Sequence, residues 1–246
     1  MFPIRDHNPS ERTPWVTWGL ILANVAIFLA YYPGAASDRA LGMIFAEYGM
    51  IPARSLAGQD WETLVTSMFL HGNWLHLGGN MLFLWIYGDN LEDTLGHLRF
   101  LLFYLVSGLA AAALHILPDP MSLAPMVGAS GAIAGVMGGY LLLFPRAKID
   151  VFLFFIIFFR IIPVPAWIVL GIWLILQLYS SFAISAEASG VAYFAHLGGF
   201  AAGVVLLLPL WLRRGGRRFW ARTEGHPPHP EAHYPFEKSR IPRVGR

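Results

Sequence analysis

The chain has 246 residues, of which 56% are hydrophobic and 13% are charged, and its mean hydropathy is +0.54. A soluble domain carries about a quarter charged residues, so this composition excludes an ordinary soluble protein and indicates several membrane crossings. The net charge is +2, and the absence of cysteine excludes disulfides, thiol chemistry and cysteine metal sites.

Six apolar runs of bilayer length predict an all-α polytopic membrane domain over residues 15–212. The runs fall at about 15–32, 74–88, 98–117, 126–144, 164–183 and 191–212. The first run is too long for a signal-peptide core and lacks a small-x-small cleavage site, so we interpret it as a retained helix. Residues 1–14 form a short cytoplasmic segment, and the outer loop 33–73 is expected to be partly helical.

Two segments do not fit the pattern of spanning helices. The apolar stretch 149–163 is interrupted by Arg160 and by a Pro-Val-Pro triplet, so we predict an interfacial segment that leads into the fifth span. A seventh crossing here would put the two termini on opposite sides. The basic tail 213–246 contains Pro and His and is predicted to be disordered. We interpret it as an anchor on anionic lipid rather than a nucleic-acid-binding segment.

The distribution of Lys and Arg predicts the orientation in the membrane. With the N-terminus inside, the inner segments carry 15 of the 17 cations, nine of them after residue 212, and the outer segments carry Arg39 and Arg54. Without the tail the ratio is still 6 to 2. The positive-inside rule therefore places both termini in the cytoplasm. The compact plan without a targeting peptide suggests, by analogy, a bacterial plasma membrane.

Polar side chains enter three of the six spans at similar depth. His76, Ser130 and His196 each lie a few residues into a span that runs from outside to inside. At about 1.5 Å of rise per residue, all three fall within roughly 10 Å of the outer interface. Asn80 follows His76 at i+4 and so shares its helix face. Reactive side chains are costly in hydrocarbon, and their convergence in one leaflet indicates a site.

Small residues predict which spans pack together. A ridge of glycines lies in the fourth span at Gly131, Gly135 and Gly139. Gly199 and Gly203 share the helix face of His196. Such ridges allow two helices to approach closely in a membrane, so we expect spans four and six to bring His196 to Ser130.

The chemistry that this grouping predicts is acyl transfer. A serine hydroxyl needs a base to remove its proton, and His196 would be that base for Ser130. The outer halves of the spans hold no nearby Asp or Glu, so we predict a Ser–His dyad without an acidic third member. Backbone N–H groups at the start of span four are free to bind an oxyanion, and His76 and Asn80 would add side-chain donors.

Other interpretations of the same residues stay open at this point. Ser130 alone would usually bond back to its own helix, and GASGAIAG alone would be a packing ridge. A metal site would draw on His71, His76 and His196, but the sequence has no clustered ligand motif such as HExxH. A proton-coupled transporter would show inverted repeats, which are not visible. Ser130→Ala distinguishes a protease, which would lose turnover, from a transporter, which should tolerate the change.

Three motifs in this order resemble the rhomboid family of intramembrane serine proteases. HGNWLHLGGN (71–80), followed by Gly88 and Glu92, is similar to the family's second-helix motif. GASG (128–131) is similar to its GxSG nucleophile motif, and AHLGGFAAG (195–203) resembles its AHxxGxxxG motif. The resemblance covers about residues 15–212 and implies a six-helix rhomboid-like bundle.

The resemblance implies Ser130 as nucleophile, His196 as base, and an oxyanion hole made by His76, Asn80 and the Ser130 backbone N–H. The residues expected to support the site are His71, Gly128, Gly131, Gly199 and Gly203. It further implies cleavage of transmembrane protein substrates near the outer ends of their helices, without a metal or organic cofactor. Substrate would enter laterally, with span five and loop 182–190 as gate and cap. The alternative is a non-catalytic relative that binds and escorts membrane helices.

The chain departs from the family pattern at two places. Many members have Trp-Arg in the first outer loop, where this chain has Trp61-Glu62, which leaves the loop's ion pairing open. Some members place a Tyr four residues after the serine to stack on the base. That position is Ala134 here, so His196 must be oriented by other packing.

Overall fold

The computed structural model describes residues 2–35, 37–155, 158–183, 192–228 and 230–232. The helices, numbered here in chain order, are α1 Trp15–Tyr31, α2 Asp38–Tyr48, α3 Pro52–Leu56, α4 Thr63–Thr66, α5 Trp74–Leu95, α6 His97–Ile116, α7 Ser130–Leu143, α8 Ala166–Ala183, α9 Tyr193–Arg213 and α10 Arg217–Thr223. The strands are β1 Phe2–Asp6, β2 Lys148–Phe155 and β3 Phe158–Pro165.

Four helices are long and apolar enough to cross a membrane, namely α1 with its following turn, α6, α8 and α9. The other two predicted spans differ from these. α5 has 22 residues, but its last two turns carry Asp89, Glu92 and Asp93. α7 has 14 residues, which at about 1.5 Å per residue cover roughly two thirds of a bilayer core. The chain is a helical membrane protein, and the count of six crossings stays a prediction.

α7 lies at the centre of the bundle. Eleven of its 14 residues are buried, so it is enclosed on all sides by other helices. Its neighbours are α9, α6 and α5. α8 lies at the edge, since Ala166 and Leu170 are its buried residues. The centre of the fold is therefore the helix that begins at Ser130.

The backbones of α7 and α9 touch, as the glycine spacing led us to expect. A Cβ added to Gly199 would overlap the carbonyl oxygen of Gly131, and one added to Gly203 would overlap that of Gly135. No L side chain fits at such distances. This contact fixes α9, and with it His196, against the first turns of α7.

Residues 149–155 and 158–163 form two paired antiparallel strands, called the hairpin below, rather than a seventh helical span, and their interfacial position stays a prediction. β2 pairs with β3 in antiparallel register from Lys148↔Pro165 onward, and β1 pairs with the other edge of β2. A short apolar run fits a buried strand as well as a helix, and β-branched and aromatic residues favour the strand. The hairpin continues directly into α8, as the predicted connection to the fifth span requires.

The tail is partly folded, in contrast to the predicted disorder. α10 follows α9 after a short turn, and its Trp220 donates an indole hydrogen bond to the Leu142 carbonyl at 3.0 Å. Beyond it, Lys148 forms an ion pair with Glu231 at 2.8 Å. Aromatic residues in the first part of the tail can pack, which a purely charge-based interpretation overlooks. Residues 229 and 233–246 lie outside the described part of the chain.

The two ends of the bundle carry different structural features. The serine end carries Ser130 and His196, and the sheet end carries β1–β3 with the start of α1 and the last turns of α5. The loop at the serine end contains α2, α3 and α4, so the predicted loop is partly helical. Met50 and Met126 join this loop to the segment before α7 through two backbone hydrogen bonds, of 3.0 and 2.8 Å.

Polar groups at the sheet end are paired with one another. The Glu92 carboxylate accepts hydrogen bonds from the Val16 and Thr17 N–H groups at 2.8 and 2.7 Å, and so caps α1, whose own N-cap is Pro14. Asp150 accepts from Arg5 and His7. Although burial opposes it, these partners lower the pKa of Asp150. The Nδ1 of His97 lies 2.6 Å from the Oε1 of Glu92 and adds a further partner to this carboxylate.

Candidate functional site

Ser130 is the first residue of α7 and follows a tight turn. Gly128 has φ of +123°, a backbone conformation that disfavours any residue with a Cβ. Its N–H donates to the Ser67 carbonyl at 2.8 Å, which anchors the turn. No side chain caps α7, which the structure describes in full. The first N–H groups of this helix have no intrahelical partner, so they can bind a negative charge.

His196 lies on α9 beside this turn. Its Nε2 is 2.8 Å from the Ser130 Oγ, a hydrogen-bond distance. The two residues are separated by 66 positions in the sequence, and the glycine contact between α7 and α9 accounts for their approach. The structure thus brings together the two side chains to which the sequence assigned nucleophile and base.

Gln177 on α8 is a site residue that the sequence analysis did not identify. Its Oε1 lies 2.8 Å from the Nδ1 of His196, on the opposite side of the imidazole from Ser130. Trp173, one turn earlier on α8, lies with its ring centroid 5.9 Å from that of His196. The sequence did carry a signal, since Gln177 is a single amide inside the apolar run WLILQLY.

His76 lies on α5 against the same turn. Asn73 caps α5 by accepting from the His76 N–H at 2.8 Å. The His76 Nδ1 accepts from the Gly72 N–H at 3.3 Å, which leaves Nε2 directed toward Gly128. A Cβ added to Gly128 would come within 2.7 Å of this Nε2 and 3.6 Å of the Ser130 Oγ. Gly128 is therefore required for space as well as for its backbone conformation.

Asn80 lies one turn below His76 and is held by His71. Its amide Nδ2 is 3.0 Å from the Nε2 of His71, whose ring packs edge-on to His76 at 5.0 Å. Burial, with His76 nearby, lowers the pKa of His71 to about 3. A neutral His71 can accept at Nε2, so it fixes the Asn80 NH2 group as a donor. The Tyr31 hydroxyl donates to the His71 carbonyl and accepts from the His71 N–H, each at 2.7 Å, and so holds the His71 backbone.

The two departures from the family pattern have structural counterparts. In the first outer loop Arg54 forms an ion pair with Asp60 and donates to the Ala46 carbonyl at 2.6 Å. Ala134 is buried in the α7 core and contributes no ring to the site. The predicted cap over the site, loop 182–190, has residues 184–190 outside the described part of the chain.

The arrangement suits nucleophilic chemistry. Within the described ranges, the hydrogen-bond partners of His196 are a hydroxyl and an amide, and no carboxylate is among them. The described residues also contain no group of three or more His, Asp or Glu side chains placed to hold a metal ion. A hydroxyl, a basic nitrogen and unpartnered N–H groups at a helix start are the components of acyl transfer.

Comparison with known proteins extends the likeness along most of the chain. Residues 58–213 match the Rhomboid domain. Rhomboid protein 1, mitochondrial, of Saccharomyces cerevisiae is 36% identical over 149 residues, which cover 58% of this chain and 40% of that protein. Rhomboid-like protein 11, chloroplastic, of Arabidopsis thaliana is 30% identical over 217 residues, covering 84% and 68%. Rhomboid protease GluP of Bacillus subtilis is 38% identical over 86 residues, covering 35% and 16%.

Two of these relatives are named mitochondrial and chloroplastic and the third comes from a bacterium, so they do not identify the membrane in which this chain resides. The predicted bacterial plasma membrane therefore stays a prediction. Some relatives are named proteases and others are not. The Rhomboid domain match includes Ser130, His196 and the helices that carry them, and it spans more than half of the chain. The chain belongs to the rhomboid family.

Proposed function

We propose that this protein is an intramembrane serine endopeptidase that cleaves transmembrane segments of other membrane proteins. The observation that carries the proposal is the 2.8 Å distance between the Ser130 Oγ and the His196 Nε2. Membership of a family with members named proteases supports it. The likeness to the yeast relative covers less than half of that protein, so the activity rests on this chain's own geometry.

The proposed reaction begins with attack of the Ser130 oxygen on a peptide carbonyl. The His196 Nε2 accepts the hydroxyl proton as the new C–O bond forms. The resulting oxyanion is stabilised by the Ser130 backbone N–H and by side-chain donors from His76 and Asn80. His196 then gives its proton to the leaving amine as the C–N bond breaks. Water, deprotonated by His196, hydrolyses the acyl-enzyme and restores Ser130.

The proposed topology has six crossings with both termini in the cytoplasm. The excess of Lys and Arg in the predicted inner segments supports it. The chain has no native cysteine, so single cysteines report orientation directly. In intact cells an impermeant maleimide should label Gln59→Cys and spare Arg218→Cys. If Arg218→Cys were labelled and Gln59→Cys were spared, the orientation would be the opposite of the one proposed.

Cleavage by purified protein in liposomes is the test of the proposed activity. Wild type should cleave a model transmembrane substrate, and Ser130→Ala or His196→Ala should lower the rate by roughly 10⁴-fold or more. Ser122→Ala and His226→Ala are matched controls at sites away from the dyad and should leave the rate unchanged. A serine-reactive phosphonate should label wild type at Ser130.

Two outcomes would contradict the proposal. Cleavage that persists in Ser130→Ala would exclude Ser130 as the nucleophile. An absence of cleavage together with an absence of phosphonate labelling would favour the alternative, a non-catalytic protein that binds membrane helices. Labelling without cleavage would support the dyad and show that the substrate tested was unsuitable.

A further inference from the structure

The His196 imidazole is held at both of its nitrogens. Nε2 meets the Ser130 hydroxyl and Nδ1 meets the Gln177 amide oxygen, each at 2.8 Å. Gln177 and Trp173 are four residues apart on α8 and therefore lie on one face of that helix. One face of α8 thus supplies both a hydrogen bond and a ring to the base.

The identity of the partner at Nδ1 determines what Nε2 can do. A neutral imidazole has one N–H and one bare nitrogen. An amide oxygen accepts hydrogen bonds and does not donate them, so Gln177 requires the proton to be on Nδ1. Nε2 is then bare and faces the Ser130 hydroxyl, which is the arrangement that a general base requires. In Ser-His-Asp enzymes a carboxylate performs this orienting task.

We propose that Gln177 is the positioning residue that holds His196 in the tautomer and orientation needed to deprotonate Ser130. This inference rests on the proposed function. Gln177 also gives His196 an orienting contact that Ala134 cannot give, because Ala134 has no ring to stack on the imidazole. An amide carries no charge, so it orients His196 without placing a carboxylate in the hydrocarbon.

The proposal excludes one specific alternative, in which Gln177 merely satisfies its own amide. In that case the NH2 group would face Nδ1, the imidazole proton would be on Nε2, and Ser130 would meet a donor instead of a base. The two arrangements have the same distances between heavy-atom positions, but the amide O and N are exchanged and the imidazole proton lies on the other nitrogen. A measurement of that proton therefore distinguishes them.

Kinetics of substitutions at Gln177 provide the first part of the test. Gln177→Met keeps the length of the side chain and removes the acceptor, so kcat should fall about tenfold with KM within twofold. Gln177→Glu keeps an acceptor oxygen even when the carboxyl is protonated in the hydrocarbon, so kcat should stay within about threefold of wild type. Gln59→Met makes the same change at an exposed loop position and should leave kcat unchanged.

Nitrogen-15 NMR of labelled histidines in liposomes provides the second part. Wild type should show His196 protonated at Nδ1, with its signals identified by their loss in His196→Ala. Gln177→Met should mix the two tautomers, a change that a purely structural role would not produce. The proposal is overturned if wild type carries the proton on Nε2, or if Gln177→Met leaves both kcat and the tautomer unchanged. Should Ser130→Ala cleave like wild type, the dyad itself fails, and that result is distinct from either outcome at Gln177.

Discussion

The serine end and the sheet end both bury polar groups, but they pair those groups differently. At the sheet end Glu92 uses both carboxylate oxygens, which accept from two backbone N–H groups, the Thr17 hydroxyl and His97. At the serine end Ser130 meets His196, and no side chain caps the α7 helix that begins there. The Glu92 carboxylate at the sheet end has no accepting capacity left, whereas the start of α7 at the serine end can still bind a further group.

This difference indicates which polar residues stabilise the protein and which serve its chemistry. A carboxylate whose two oxygens already accept all their hydrogen bonds cannot bind a substrate. Removing that side chain leaves the buried donors around it unpaired. The free N–H groups at an uncapped helix start gain their partner when a reacting oxygen arrives. We therefore expect substitutions at the serine end to change kcat and substitutions at the sheet end to change stability.

Outside the Ser130–His196 dyad, the largest effect is expected for Asn80→Ala at the serine end. The substitution removes an amide donor that His71 holds in place, so kcat should fall by about 10²- to 10³-fold, or roughly 3–4 kcal/mol of transition-state stabilisation. KM should change little, and the free energy of unfolding should fall by about 1–3 kcal/mol, because the buried His71 Nε2 loses its partner. The measurement is steady-state cleavage of a transmembrane substrate together with unfolding in mixed detergent.

Asn24→Ala is the matched control for Asn80. Asn24 is also a buried helical asparagine, but its amide donates to the Leu20 carbonyl of its own helix at 2.8 Å. Its replacement should leave kcat within twofold. If Asn24→Ala and Asn80→Ala reduce kcat equally, the loss reflects general damage to the bundle, and the assigned difference between the two ends is wrong.

A smaller effect, of opposite type, is expected for Glu92→Gln at the sheet end. The change keeps the size of the side chain but removes the charge that caps α1, so the free energy of unfolding should fall by about 2 kcal/mol. The folded fraction should retain wild-type kcat. Glu47→Gln makes the same change at an exposed position of α2 and should cost at most about 0.5 kcal/mol. A fall in kcat at full folding would link Glu92 to the site.

Apolar length predicted most spanning helices well. The predicted runs 98–117, 164–183 and 191–212 correspond to α6, α8 and α9 with ends shifted by one or two residues. The run 126–144 was too long at its start, because Gly128 turns the chain before Ser130. The run 74–88 was too short, because α5 continues through Asp89 and Glu92. These carboxylates accept hydrogen bonds from Ser10 in the N-terminal segment and from Val16 in α1.

Tertiary pairing accounts for what the sequence did not predict. The hairpin at 149–163 needs β1, from the other end of the chain, as a third strand, and no local pattern encodes that pairing. The motif residues of the site were predictable because each breaks an apolar run. Gln177 breaks one too, but a single amide on a helix predicts nothing until α9 places His196 beside it.

The pH dependence of β1 docking gives a further property that separates the sheet end from the serine end. Burial, and then the nearby Asp89, raise the pKa of Asp6 from 3.8 to about 8, although Asn90 and Tyr140 bond to the carboxylate. The docked state therefore keeps a proton that the undocked state releases. Stability from this group is full below about pH 4 and is lost as pH rises toward 8, by about 1.4 kcal/mol per pH unit.

Hydrogen-exchange protection of β1, corrected for intrinsic exchange, should fall between pH 5 and 7 in wild type and fall less steeply in Asp6→Asn, because an amide cannot ionise. The slope that remains comes from Asp89, since burial raises its pKa to about 6. Asp119→Asn, at an exposed position, should keep the wild-type slope. A slope in Asp6→Asn that is as steep as in wild type would refute the assignment to Asp6. Asp150 cannot supply that slope, because its pKa is lowered and its contribution is lost as pH falls, which is the opposite sign.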